Sequence, residues 1–190
     1  SNTAIGRDAL ELNTTGCENT AVGQNAMYTN VSGDFNTAVG REALYSNTTA
    51  DNNTALGYCA LRANTTGAAN TAVGSNALDS NTTGYANVAI GCDAMQTNTE
   101  GFSNTAVGEN SLELNTTGDG NVFVGPYVDP TNGAADSAHG FGYNLDCQGG
   151  YTTLGNGPAD IRAAHGNITW ATVSDERYKK DIVDSTAGLS

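Results

Sequence analysis

Residues 36–52 read Asn36-Thr37-Ala38-Val39-Gly40-Arg41-Glu42-Ala43-Leu44-Tyr45-Ser46-Asn47-Thr48-Thr49-Ala50-Asp51-Asn52, and the rhythm restarts at Asn53-Thr54-Ala55-Leu56-Gly57. Copies of this 17-residue unit open at Asn2, Asn19, Asn36, Asn53, Asn70, Asn87, Asn104 and Asn121. Each carries a glycine four residues on, from Gly6 to Gly125. Self-similarity at a fixed period of this length marks a solenoid, in which neighbouring units bury a shared core that none could build alone. A rod built this way serves as a spacer, an adhesin or a fibre.

Each unit is expected to give two short strands and two turns. The first strand is Thr-Ala-Val, closed by the glycine, the residue that best tolerates positive φ or close backbone approach. The second holds the Ala-Leu or Ala-Met pair, and Asn-Thr-Thr-Gly turns the chain back. Two columns are assigned to the interior: Ile5, Val22, Val39, Leu56, Val73, Ile90, Val107 and Val124, and Leu10, Met27, Leu44, Leu61, Leu78, Met95 and Leu112. The alanines from Ala4 to Ala106 alternate with the first column, so they are expected on the opposite side of their strand as a flat subunit contact. Burying two such apolar side chains yields ~1.5–3 kcal/mol each. Ordering the coil costs on the order of 1–2 kcal/mol per residue in backbone entropy. A lone coil therefore does not fold, and stacking is obligatory. At ~4.8 Å per coil, the eight coils make a rod of roughly 40 Å.

Composition agrees with a thin core. The 190 residues include 24 glycines, 7% aromatics and only 14% charged residues, with a formal net charge of −13. Residues 1–174 set Arg7, Arg41, Arg62 and Arg162 against sixteen acids. Such a surface will not bind a nucleic-acid backbone or an anionic membrane by charge. No apolar run reaches the ~20 residues of a membrane span. Cys17, Cys59, Cys92 and Cys147 occupy different columns and show no metal-ligand spacing, so they read as free, small, partly buried thiols. Neither a metal nor any cofactor is expected. Asp119 between Gly118 and Gly120 lacks the spaced carboxylates of a calcium loop. His139 and His165 read as isolated loop residues.

The Asn-Thr-Ala-Val-Gly unit, over residues 2–125, resembles the repeat in the heads of trimeric autotransporter adhesins. That resemblance implies a left-handed parallel β-roll assembled as a homotrimer, although the repeat here is longer than the usual one there. The full expectation is an all-β chain: a parallel β-solenoid over 1–125, a β-rich tip or neck over 126–174, and a short helical stub over 175–190. In the eighth copy Phe123 stands in the alanine column as a plug, and Asp129 falls where the column leucine would be. Aromatics gather beyond it, and Phe141, Tyr143, Tyr151 and Trp170 are the candidate anchors for a host cell-surface receptor or glycan.

Ser174-Asp175-Glu176-Arg177-Tyr178-Lys179-Lys180-Asp181-Ile182 resembles the start of the endosialidase-type intramolecular chaperone found at the C-termini of phage tail fibres and tailspikes. The resemblance implies that a precursor trimerises and then cuts itself between Ser174 and Asp175, with Ser174 as nucleophile and Lys179 assisting. A lysine of lowered pKa can serve a serine as base. Ser174 as the N-cap of a charged helix describes the same residues structurally. With the chain ending at Ser190, nearly all of that chaperone is absent, so the fragment is not expected to cleave itself or to act as an enzyme. The leading expectation is an extracellular virion tail-fibre segment. A non-viral surface adhesin and an ice-binding solenoid, with its threonines in the turn columns such as Thr14, Thr48 and Thr82, are the alternatives. Asn-x-Ser/Thr sequons at Asn13, Asn30, Asn47, Asn52, Asn64, Asn81, Asn115 and Asn167 read mainly as copies of a turn.

Overall fold

In the computed structural model the described residues are 1–157, 159–166 and 171–172. The stub over 175–190, and with it Ser174, Lys179 and Trp170, lies outside them. The strands are β1 (Thr3–Ile5), β2 (Thr20–Val22), β3 (Thr37–Val39), β4 (Thr54–Leu56), β5 (Thr71–Val73), β6 (Val88–Ile90) and β7 (Thr105–Val107). They continue as β8 (Val122–Val124), β9 (Val128–Pro130), β10 (His139–Tyr143), β11 (Leu145–Cys147), β12 (Tyr151–Asn156), β13 (Ala159–Ala164) and β14 (Ala171–Thr172). One twelve-stranded sheet runs β1 through β8, then β10, β12, β13 and β14, while β9 and β11 pair separately. Pairing is parallel and in register from β1 to β12 and turns antiparallel at β13. The protein is an all-β parallel solenoid of about 9 turns, and the sheet crosses residue 125 without a break.

Each of the first seven coils has one strand, not two; a second strand appears only with β9 and β11. The Ala-Leu segment expected as the second strand is a run of turns whose residues alternate into the left-handed region, as at Asn25 (φ 59°) and Met27 (φ 50°). Its backbone still bonds coil to coil, with Met27 N–H donating to Ala43 C=O at 3.0 Å and Asn25 N–H to Arg7 C=O at 2.9 Å. Left-handed conformations are costly for non-glycine residues and worst for β-branched ones. Leucine and methionine, branched later or not at all, fill this column.

The two faces of the strand are the reverse of the sequence expectation. The alanines Ala21, Ala38, Ala55, Ala72, Ala89 and Ala106 are fully buried, and the Ile/Val/Leu column faces outward, with Ile5 60% and Leu56 47% exposed. The reason is space. Leu44, Leu61 and their column-mates are also fully buried, reaching inward from the turn-built side together with Ala43 and Ala60. A 17-residue loop leaves room for one long side chain per coil, and a methyl group must face it. The alanine strip is therefore core and cannot be a subunit contact.

Two asparagine ladders complete the interior. In one, the backbone N–H of Asn36 donates to Asn19 Oδ1, and that of Asn53 to Asn36 Oδ1, each at 2.9 Å. The amide of each reaches a turn carbonyl, as Asn36 Nδ2 does to Ala50 C=O at 2.8 Å. In the other, side chain meets side chain: Asn47 Nδ2 donates to Asn30 Oδ1 at 2.8 Å and to Ala50 C=O at 3.0 Å. Buried amides need such partners. The second ladder carries sequon residues, and of these Asn30, Asn47, Asn64, Asn81 and Asn115 are wholly enclosed, which removes them as glycan acceptors in the folded chain. The turn threonines are also engaged, with Thr65 Oγ1 donating to Thr82 C=O at 3.0 Å.

Near the eighth coil the period shortens. Val128, not Asp129, takes the leucine column's place: Leu112 N–H donates to Val128 C=O at 2.8 Å, and Val128 and then Leu145 are buried. Phe123 is fully buried at the end of the alanine column, opposite Gly140, but it does not close the rod, since the core continues past it through Leu145 and Cys147.

Candidate interaction face

The alternation that turns alanine inward lays two rows on the outer face of the sheet. One is apolar: Ile5, Val22, Val39, Leu56, Val73, Ile90, Val107, Val124, Phe141, Leu154 and Ile161, joined rung by rung through strand pairing. Its exposed members include Ile90 (41%), Phe141 and Ile161 (both 38%). The parallel row is Thr20, Thr37, Thr54, Thr71, Val88, Thr105 and Val122, continued by His139 and Thr152. Scattered exposed apolar residues are ordinary on proteins, but a contiguous stripe of this length marks an interaction surface.

The candidate anchors of the tip are placed apart. Phe141 belongs to the outer apolar row. Tyr143 lies beyond the Gly142 corner, edge-on to Tyr127 with ring centroids 6.2 Å apart. Tyr151 begins β12, whereas Tyr143 pairs with Asn156 at that strand's other end. Trp170 is outside the described residues.

The histidines are not isolated. Their rings lie 4.6 Å apart, and both approach Thr152 Oγ1, His139 Nδ1 at 3.4 Å and His165 Nε2 at 3.2 Å. Burial, and then the neighbouring His165, hold the His139 pKa below its ordinary value. Sequence spacing hid this pair because His139 on β10 and His165, just after β13, meet only through the pairing of both strands with β12. Among the described residues no group of three or more His, Cys, Asp or Glu is arranged to hold a metal ion.

All four cysteines are free, Cys17 and Cys92 exposed, Cys59 and Cys147 buried. Burial pushes the Cys147 thiol up to about 11, so it stays protonated and inert. Asp129, carried outward by the shortened coil, is pushed up to about 6 by burial despite the N–H that Leu114 donates to it at 3.1 Å. Among the described residues no helix is long and apolar enough to cross a membrane.

The class defined by this geometry is the parallel β-solenoid with an apolar outer stripe. No family model, curated protein or solved structure matches the chain.

Proposed function

We propose that residues 1–125 form the shaft of a homotrimeric extracellular fibre of the viral tail-fibre kind, projecting residues 126–174 toward a host cell-surface receptor or glycan. The observation that carries this reading is the unbroken apolar row from Ile5 to Ile161 on the outer face of the sheet. Such a row on each of three parallel copies can close around a common axis, a symmetric arrangement that leaves no stripe open. The contact moves from the alanine strip to the Ile/Val row, while the proposed stoichiometry stays the same.

Light scattering on the full chain tests it, with three chains per particle expected. Leu56→Lys combined with Val73→Lys should yield a smaller particle that keeps its β-type circular dichroism. A wild-type chain that is folded and monomeric overturns the trimer. Maturation is a separate arm: a longer precursor should break between Ser174 and Asp175, and Ser174→Ala should leave it intact and trimeric. Lys179→Ala should slow the cut.

The threonine row favours a second reading. Thr20, Thr37, Thr54 and Thr71 stand in register beside the apolar row on one flat sheet. Strand spacing gives this array a lattice of about 4.8 Å by about 6.6 Å, a regular surface of the kind that can order water as ice. This reading needs the face to be free, so a monomer that halts ice recrystallisation would favour it over the trimer.

A further inference from the structure

The turn-built side of the coils carries a groove of 420 Å³, lined by Asn25, Glu42, Tyr45, Ser46, Arg62 and Ala63. One ion pair shapes it. Tyr28, Tyr45 and Arg62 follow one another in a single column, and Tyr28 stacks on one face of Tyr45 with centroids 5.3 Å apart and planes 5° from parallel. Arg62 would be the next layer, but its Nε and Nη2 reach forward a further coil to Asp79, at 2.8 and 3.2 Å. The guanidinium is drawn away from Tyr45, whose second face then borders the groove. Ser46 and Ala63 keep the floor low where the same column holds Leu12 and Leu114 in other coils.

The groove's chemistry is mixed and charge-balanced. Arg62 is matched by Asp79, and Glu42 by Arg41 at 2.9 Å. The Asn25 amide, the Ser46 hydroxyl and the Tyr45 phenol have no hydrogen-bond partner among the described residues, which leaves neutral donors and acceptors beside an aromatic ring. A ring face carries negative quadrupole charge and attracts weakly positive C–H edges. A few placed polar groups beside an apolar wall are the usual make-up of a ligand site. A pyranose matches both features, with one C–H face for the tyrosine and hydroxyls at its rim for the amide, serine and carboxylate.

We propose that this groove is a binding site for a neutral saccharide. The proposal stands apart from the trimer and from the tip: the groove lies on the side of the coil away from the outer sheet row, and it needs no second chain.

The test uses the full chain, with maltohexaose and mannohexaose as neutral probes and a heparin hexasaccharide as the anionic comparator. Saturation-transfer NMR should show contact with at least one neutral probe, and titration a Kd on the order of 1 mM. Tyr45→Gln and Ser46→Leu should each weaken binding about tenfold or more. Both changes come from the repeat itself, since Gln96 stands in the tyrosine column and Leu114 in the serine column, so unchanged melting is expected of both. Tyr143→Ser, in the tip, should leave binding as it was. The proposal is overturned if neither neutral probe binds, if only the heparin fragment binds, if both groove variants bind like wild type, or if Tyr143→Ser alone abolishes binding.

Discussion

Asn81 Nδ2 donates to Asn64 Oδ1 at 2.8 Å, across seventeen residues of sequence and inside a core where both side chains are fully buried. Each such amide accepts from the coil after it and donates to the coil before it, so removing one breaks bonds on both sides. Asn64→Ala leaves Asn47 Oδ1 without its donor, while Gly67 C=O keeps Asn53 Nδ2 and Asn81 Nδ2 keeps Gly84 C=O. An unsatisfied buried group costs about 1–3 kcal/mol. The variant should unfold at clearly lower urea than wild type, and a midpoint unchanged from wild type would show that the ladder adds no stability.

Substitutions on the two faces of a strand should separate folding from assembly. Ala55→Leu forces a larger side chain into a space closed around a methyl group and should cost on the order of 1–3 kcal/mol or more. Leu56→Thr, one residue on and pointing outward, should melt like wild type when monomeric yet weaken self-association. Equal melting of both variants would return the alanine column to the surface.

Inside the coil, Leu61→Asp places a charge where the side chain has no exposure, and it should abolish the cooperative transition. Ser75→Ala, at a half-exposed position, should be silent. Thermal melting by circular dichroism checks the pair.

Asp129 makes stability depend on pH in an unusual direction for a carboxylate. Its folded pKa is about 6, above the ordinary 3.8, so the folded state holds its proton more tightly than the unfolded one. The burial penalty is fully present above about pH 6 and is relieved as pH falls toward 4. Wild type should therefore gain urea stability at this site between pH 7 and pH 5, and Asp129→Asn should flatten that gain. A steeper gain in the variant would assign the effect to another group.

Gly140 shows why the eighth coil changes sequence. A methyl group there would meet Cys147 Sγ at 2.5 Å, Val128 Cγ1 at 2.6 Å and the Phe123 ring at 3.1 Å. Gly140→Ala should destabilise the chain, detected as faster proteolysis after residue 125, while Gly149→Ala, whose nearest contact is 3.2 Å away, should be milder.

The period, the parallel stacking and the Leu/Met column were legible in the sequence because each repeats unchanged through the first seven coils. The identity of the second apolar face was not. Hydrophobicity ranks valine and isoleucine above alanine, which favoured the wrong column, but the variation within each column carried the answer. The outward column passes freely among Ile, Val and Leu, as a surface permits, whereas the inward one stays alanine from Ala21 to Ala106. From Leu10 to Leu112 the Leu/Met column excludes β-branched residues, a trace of its left-handed backbone, and Val128 enters it only where the backbone has become a strand. Nothing in the spacing pointed to the His139–His165 pair or to the groove beside Tyr45. Both depend on how residues distant in sequence, or one coil apart, lean toward or away from each other.

Because each ladder asparagine bonds to its own kind one unit away, a coil carries no address within the rod. Inserting a further seventeen residues anywhere between Asn19 and Asn104 would preserve each ladder bond and leave both ends unaltered, lengthening the rod by ~4.8 Å. An insertion of sixteen or eighteen would instead throw both ladders out of register. Reach is thus inherited in whole steps, and recombination between near-identical units can lengthen or shorten the rod without inventing a residue.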